Sequence, residues 1–192
     1  MKRTFVLAVV SLVAAISAVR GDIIPSFTGT TSSGTNTVWN YQIDITSGAV
    51  VTAGDFFTIY DFGPFIAGSN LQPANWTFSS SLTTVAPAGT LPPDDPTIAN
   101  LTWTYTGSTP LPESSIAGLF SVIVATSQFQ EVPRTRPGYF AAQATRAPGN
   151  DSGKLNNVGR IPVPVPIPEP TTVSLIALAA AGSALKAIRR RR

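Results

Sequence analysis

The side chains that could carry out chemistry in this chain are carboxylates and hydroxyls, because the sequence contains no histidine and no cysteine. This composition excludes a Ser/His/Asp triad, a Cys/His nucleophile and the usual zinc ligand sets. A pair of carboxylates could still hydrolyse a glycoside. The acids available for this role are Asp44, Asp55, Asp61, Asp94, Asp95, Glu113 and Glu131. Their spacing singles out no pair, so we predict no catalytic residue and a protein that is not an enzyme.

Two of these acids, Asp94 and Asp95, stand in a turn that is flanked by prolines. Aspartate in such a turn accepts hydrogen bonds from neighbouring backbone groups. Carboxylate oxygens placed there could also hold Ca²⁺, which prefers oxygen ligands. We expect the turn role for both residues, and we therefore predict no metal ligand and no cofactor-binding residue.

Aromatic side chains could stack on sugar rings if they were exposed, as in a carbohydrate-binding module. Four candidates occupy alternating positions of predicted strands, and we expect them in the core: Trp39, Tyr41, Trp103 and Tyr105. Aromatic residues dominate such interiors. Trp76 lies between two polar residues, and it is the speculative glycan contact that the sequence offers.

The elements that must position these residues are predicted to be β-strands. In the segment 38–45 apolar and polar residues alternate, which is typical of a half-buried strand. Further segments are predicted strands because β-branched and aromatic residues are enriched or alternate there: 56–60, 76–79, 101–105, 118–126 and 139–145. Gly, Pro, Asn and Asp separate them. This pattern predicts an all-β fold, an antiparallel β-sandwich of about 7–9 strands.

Three segments carry more specific expectations. The segment 118–126 is the most apolar internal run and predicts a central strand. The segment 27–37, rich in Gly, Ser and Thr, predicts a flexible lead or an edge strand. Prolines alternate with valine or isoleucine over 161–167, which favours an extended polyproline II conformation. We therefore predict a Pro/Gly-rich linker stalk over 146–167, after a β-sandwich ectodomain over 22–145.

The charge of the chain is unevenly distributed. The formal net charge is +3, but the basic residues are concentrated near the two ends. No lysine or arginine lies between Gly21 and Pro133, whereas that span holds eight acids. A surface that binds nucleic acid needs basic residues to contact phosphates. The charge distribution therefore excludes nucleic acid as a partner of the central domain.

The N-terminus has the pattern of a secretory signal peptide. The first three residues include a lysine and an arginine, and an almost wholly apolar run over 5–16 follows. Small residues come next, as signal peptidase requires. We predict a signal peptide over 1–21, with cleavage after Ala18 or after Gly21. An uncleaved anchor is the alternative, although the apolar run is shorter than the ~20 residues of a spanning helix.

The C-terminal segment 168–192 combines three features in a fixed order. Pro168, Glu169 and Pro170 come first, and the prolines keep this motif extended and outside any helix. The mostly apolar run 173–188 predicts a single transmembrane helix of roughly 24 Å at ~1.5 Å per residue. A basic cluster follows, made of Arg189, Arg190, Arg191 and Arg192. Basic residues stay on the cytoplasmic side, so the body of the protein is expected on the other side.

This tail resembles the PEP-CTERM sorting signal of Gram-negative bacteria, over the segment 168–192 only. The resemblance implies that an exosortase, a membrane transpeptidase-like enzyme, recognises the motif and removes the tail. It implies a stage in the inner membrane with the ectodomain in the periplasm, followed by the cell surface or the extracellular matrix. Around 60–62 and 100–105 the body is similar to unclassified ectodomains carried by PEP-CTERM proteins. A permanent C-terminal membrane anchor is the alternative.

These observations predict an exported cell-surface or extracellular-matrix protein with a structural or adhesive role. The expected partners are an exosortase, the inner membrane at least transiently, and extracellular polysaccharide, with which the resembled family is associated. One alternative function is a carbohydrate-binding module associated with exopolysaccharide. A carboxylate-based hydrolase is a further alternative.

Overall fold

The computed structural model describes residues 22–125, 129–130, 136–149 and 152–166, and the regular elements in these ranges are all β-strands. All the strand pairs are antiparallel. The strands are β1 (Ile23–Ser33), β2 (Asn36–Ile45), β3 (Ala49–Val50), β4 (Phe56–Tyr60), β5 (Trp76–Ser81), β6 (Asn100–Tyr105), β7 (Ser115–Ala125), β8 (Phe129–Gln130), β9 (Arg136–Arg146), β10 (Lys154–Val163) and β11 (Val165–Pro166). The prediction of an all-β, antiparallel fold is confirmed. The predicted signal peptide and C-terminal transmembrane helix lie outside the described residues.

Two sheets face each other as a sandwich. The small sheet has the order β1-β2-β7, and the large sheet has the order β10-β9-β4-β6-β5. The short strand β3 pairs with the end of β9, and β8 and β11 form a separate two-stranded ribbon. In the middle of the large sheet, Phe57 of β4 lies opposite Trp103 of β6 on one side and Ala142 of β9 on the other. This arrangement places β4 at the centre of the domain.

The core lies between the two sheets, and the alternating pattern of the sequence builds it. Phe57 stacks on Trp103 with ring centroids 5.0 Å apart, and it meets Phe120 of the small sheet edge-on at 5.1 Å. Edge-on and offset contacts of this kind are the favoured geometries of aromatic pairs. The four aromatic residues predicted to be internal are all buried, namely Trp39, Tyr41, Trp103 and Tyr105. That prediction is confirmed.

The most apolar run of the sequence forms β7, which lies at one edge of the small sheet rather than at its centre. The prediction of a central strand is therefore wrong. Its outer edge is nevertheless covered by backbone hydrogen bonds. Ile66 N–H donates to the Ile123 carbonyl at 2.8 Å, and Leu71 and Ser121 exchange two backbone hydrogen bonds of 2.8 Å each. The segment between β4 and β5 thus closes an edge that could otherwise pair with another chain.

The opposite edge of the small sheet is β1, so the Gly/Ser/Thr-rich lead is an edge strand and not a flexible segment. A tight turn at Gly34, with a left-handed φ of 60°, connects β1 to β2. The register of the two strands shifts between Phe27 and Gly29. A bulge of this kind increases the local twist, which makes an edge less suitable for pairing with another molecule.

The proline-rich segment assigned to a stalk contains a long strand, β10, which pairs with β9 along its whole length. The stalk prediction is wrong for Lys154–Val163, and the domain extends beyond its predicted boundary. Ile161 and Val163 are buried in the core. Proline is tolerated here because β10 is an edge strand. Pro162 lies opposite Pro137, and since neither has an N–H, this pair needs no ladder hydrogen bond.

A long loop over 82–99 covers part of the outer face of the large sheet. The loop begins at the end of β5, which is one edge strand of the sheet. At the opposite edge, the Ala88 carbonyl of the loop accepts a hydrogen bond of 2.9 Å from the Asn156 side chain of β10. Thr58 points away from the core but is fully buried, and its hydroxyl bonds to that of Thr102 at 2.8 Å. The loop therefore adds a partial third layer, and it positions the candidate site.

Candidate functional site

Two groups of polar side chains lie on the large sheet. The first, which we call the Asp55 cluster, consists of Thr52, Asp55, Thr145 and Lys154. The Asp55 Oδ1 accepts from the Lys154 Nζ at 2.6 Å. The Asp55 Oδ2 accepts from the Thr52 N–H at 2.8 Å, from the Thr52 hydroxyl at 3.0 Å and from the Thr145 hydroxyl at 2.8 Å. Both oxygens of this carboxylate are therefore engaged.

The Asp55 cluster holds the fold together. Asp55 is fully buried just before β4, whereas the Lys154 side chain is 42% exposed at the start of β10. Thr145 belongs to β9 and lies opposite Lys154 in the register. A buried carboxylate is tolerated when charged and neutral donors satisfy it. We conclude that these contacts fasten β10 and β9 to the turn before β4.

The second group, which we call the acidic corner, consists of Tyr60, Asp61, Asp94, Asp95 and Asn100. At its centre is the buried side chain of Asn100, the first residue of β6. The Asn100 Oδ1 accepts from the Asp61 N–H at 2.8 Å, and the Asn100 Nδ2 donates to the Asp94 Oδ1 at 2.9 Å. The Asp61 Oδ1 accepts from the Asp95 N–H at 2.8 Å. These bonds fix the end of the loop 82–99 against β4 and β6.

Tyr60 is the unusual member of the acidic corner. It is the last residue of β4, and the strand alternation turns its side chain away from the core, next to Tyr139 of β9. The side chain is nevertheless only 1% exposed. Its hydroxyl is buried and has no hydrogen-bond partner among the described residues. Burial, together with the negative charge of Asp94, raises the pKa of Tyr60 to about 12.

A cation lies at the rim of the acidic corner. The guanidinium carbon of Arg160 in β10 stands 5.9 Å from the centre of the Tyr139 ring. This is a cation–π distance, and Arg is the cation most often found in such contacts. Tyr139 lies between Tyr60 and Arg160 in the register of the sheet. The side chains of Tyr60, Tyr139 and Arg160 thus form a row on three adjacent strands, β4, β9 and β10, of the large sheet.

Trp76, the predicted glycan contact, lies in the core. It is 5% exposed, and its ring meets those of Tyr105 and Phe120 edge-on at 5.3 and 5.0 Å. A ring enclosed in this way has no face on which a sugar could stack. The assignment of Trp76 is therefore wrong, because β5 alternates Trp76 inward and its polar neighbours outward.

Asp95 adopts the turn role that the sequence predicts. Its Oδ1 accepts from both the N–H and the hydroxyl of Thr97, at 2.9 and 2.7 Å. Asp94 differs, because its Oδ1 accepts from the side-chain amide of Asn100. Within the described ranges, no group of three or more His, Cys, Asp or Glu residues is arranged to hold a metal ion.

The sequence did not single out Tyr60 or Asn100 as site residues. The available signal was the composition of β4, in which all five residues are apolar, aromatic or threonine, so that its outward positions lack the polar residues of a solvated face. That composition indicates a strand covered on both faces. The partner that covers it, the loop 82–99, is distant along the chain and mixes prolines and apolar residues with threonine and aspartate, without a regular period.

The predicted sorting residues lie outside the described residues: Pro168, Glu169, Pro170, Arg189, Arg190, Arg191 and Arg192. In the part of the chain that is described, no helix has the length and apolar character needed to cross a membrane. Comparison with models of known protein families gives no match. Comparison with curated proteins gives none either. The functional proposal therefore rests on the sequence motifs.

Proposed function

We propose that this chain is an exported, non-enzymatic protein of the cell surface or extracellular matrix, with a structural or adhesive role. The observation that carries the proposal is the ordered tail. Pro168, Glu169 and Pro170 precede an apolar run of membrane length and four arginines. An exosortase is the partner that this order implies. The chain would be held in the inner membrane, with its domain on the periplasmic side, until the tail is removed.

The position of the motif supports this proposal. β11 ends at Pro166, and a single residue separates it from Pro168. β10 and β11 are paired with β9 and β8 before the motif begins. Cleavage at or after the motif would therefore leave these strands intact and would release a complete sandwich.

The intact mass of the protein, recovered from the envelope and from the medium of its native host, tests the proposal. We expect a chain that ends near the motif, with or without an attached group. In a Glu169→Ala variant the uncleaved tail should persist in the membrane fraction. The matched control Thr171→Ala, which leaves the motif intact, should be processed normally. A wild-type chain that ends at Arg192 in the membrane fraction would contradict the proposal and would indicate a permanent anchor.

The alternative of a carbohydrate-binding module loses the contact that the sequence suggested for it, because Trp76 is buried.

A further inference from the structure

We propose that β5, an edge strand of the large sheet, is a docking site for a second copy of this chain, which adds its own β5 as the next strand. The two copies then share one continuous antiparallel sheet around a two-fold axis. This inference goes beyond the proposed surface display, and it does not depend on how the tail is processed.

The first argument is that β5 is an unprotected edge. Among the described residues, the two sheets have four edge strands, β1 and β7 in the small sheet and β10 and β5 in the large one. Native proteins protect an open edge with a bulge, a covering segment, charge or proline. β1 has the bulge, β7 is bonded to the segment before β5, and β10 carries Lys154, Arg160 and Pro162. β5 pairs with β6 in a regular register, and it contains neither charge nor proline.

The second argument is the direction of the backbone groups of β5. The Thr106 N–H donates to the Asn75 carbonyl at 2.7 Å. In an antiparallel pair every second residue bonds to the neighbouring strand, so Asn75 and alternate residues after it face β6. The N–H and carbonyl groups of Phe78 and Ser80 therefore point to the open side. Within the described ranges, no loop forms a backbone hydrogen bond with either of them.

The third argument is that the open side of β5 can be reached. Ser79, Ser80 and Ser81 are all exposed. Leu82, which directly follows the strand, is an apolar side chain that is 53% exposed. Serine side chains are short, so they leave the backbone accessible to an incoming strand. The edge therefore offers unpaired backbone groups and, at its end, apolar surface that a partner would cover.

Charge favours a second copy of the chain as the occupant. The segment 62–93, which includes β5 and both of its flanks, contains no Asp, Glu, Lys or Arg. Two β5 strands can therefore pair without like charges opposite each other, which would destabilise a sheet. The outward side chains Thr77, Ser79 and Ser81 would lie opposite their own kind, where hydroxyls can exchange hydrogen bonds. Because each copy uses its β5 edge in the contact, the assembly closes as a dimer.

Sedimentation equilibrium over a range of concentrations tests this site. The sample is the protein purified from its host, in detergent where the tail is retained. We expect a reversible equilibrium between monomer and dimer. Ser80→Pro removes an N–H on the open side, which an edge strand tolerates. By symmetry it removes two hydrogen bonds from the dimer, so it should weaken dimerisation at least about tenfold.

Two further variants keep this test decisive. Ser80→Lys places like charges along the proposed contact, and it should weaken dimerisation as strongly even if Ser80→Pro does not fold. The matched control is Ser32→Lys, which puts the same charge at an exposed position of the β1 edge. It should leave dimerisation unchanged. Thermal unfolding of each variant checks that the fold is intact.

Hydrogen exchange of single amides locates the contact. The amides of Phe78 and Ser80 should exchange more slowly as the concentration rises, because they donate to a partner only in the dimer. The Thr77 amide faces β6 in both states, and its exchange should not depend on concentration.

Three results would overturn the proposal. The first is a monomer at every concentration. The second is a dimer that neither substitution of Ser80 weakens. The third is a dimer in which the amides of Phe78 and Ser80 exchange as fast as in the monomer. Failure here leaves the tail-processing result untouched, because that result is read from the mass of the chain.

Discussion

The Asp55 cluster and the acidic corner lie on the same sheet and use the same residue type in opposite ways. Asp55 is buried, and both of its oxygens are bonded to donors from three parts of the chain. Asp94 is exposed, and it lies near a tyrosine whose hydroxyl is buried without a partner. The hydrogen bonds of Asp55 contribute to the stability of the fold. The Tyr60 hydroxyl contributes no hydrogen bond to a described residue.

The largest expected loss of stability follows from a substitution in the Asp55 cluster. Asp55→Asn replaces one acceptor oxygen with an amide that cannot accept from Lys154 or Thr145, and it removes the charge. We expect the free energy of unfolding to fall by about 2–3 kcal/mol, because hydrogen bonds to a charged group are lost in a buried site. Urea denaturation followed by tryptophan fluorescence measures this change.

Asp44→Asn is the matched control for that substitution. Asp44 lies on the outer face of the small sheet, where its Oδ1 accepts from the Gln42 side chain at 3.2 Å. A change at this half-buried position, which loses at most one hydrogen bond to a neutral side chain, should alter the free energy of unfolding by less than about 1 kcal/mol. Equal losses of stability in Asp55→Asn and Asp44→Asn would show that the buried hydrogen bonds of Asp55 do not stabilise the fold more than those of an outer-face aspartate. That result would contradict the role assigned to the Asp55 cluster.

A smaller loss of stability is expected for Tyr105→Phe, and none is expected for Tyr60→Phe. The Tyr105 hydroxyl donates to the Thr109 carbonyl at 2.6 Å, so Tyr105→Phe should lower the free energy of unfolding by about 1 kcal/mol. The Tyr60 hydroxyl makes no such bond, so Tyr60→Phe should leave the protein unchanged or slightly more stable. Thermal unfolding of both variants measures the difference. A loss of stability in Tyr60→Phe as large as that in Tyr105→Phe would reveal a partner for the Tyr60 hydroxyl.

The difference in the free energy of unfolding between the wild type and Tyr60→Phe is small at neutral pH and should grow in alkaline solution. The pKa of Tyr60 is about 12 in the folded protein, against about 10 in an unfolded chain. Its contribution to stability is complete below pH ~10 and is lost as the pH rises through ~12. Tyr60→Phe lacks this loss and should gain stability relative to the wild type over that window. Denaturation series between those two pH values test the sign, and parallel curves would contradict it.

Much of the fold could be predicted from local pattern. The alternation in 38–45 fixed which face of β2 is buried, and it placed Trp39 and Tyr41 correctly inside. β10 could not be found in this way, because most of it is polar or glycine, and its end at Pro162 opens a run of alternating prolines that favours polyproline II locally. Its pairing with β9 is a tertiary effect. The edge position of β10 makes the missing N–H of Pro162 harmless.

The candidate site was less accessible to sequence reasoning. Asp94 and Asp95 were predicted to be turn residues, and the hydrogen bond from the Thr97 N–H agrees with this for Asp95. Asp94 instead accepts from the Asn100 side chain. Their proximity to Tyr60 depends on the path of the loop 82–99 across the sheet, and no local pattern encodes that path. Trp76 was misplaced because its polar neighbours were taken as a sign of exposure, whereas in a strand the residue between two outward-facing neighbours faces inward.

The pairing of β10 along its full length has a mechanical consequence. A pull on the C-terminal side of the domain would first separate β11 from β8. It would then reach Val163 and peel β10 from β9 one residue pair at a time. The Tyr41 hydroxyl resists early in this process, because it holds the Pro162 carbonyl from the opposite sheet at 2.9 Å. The ion pair of Lys154 and Asp55 stands at the far end of the strand and would be the last attachment to yield. The two ends of β10 are thus attached to different parts of the sandwich. Pro162 is bonded to the small sheet, and Lys154 is bonded to the turn before β4.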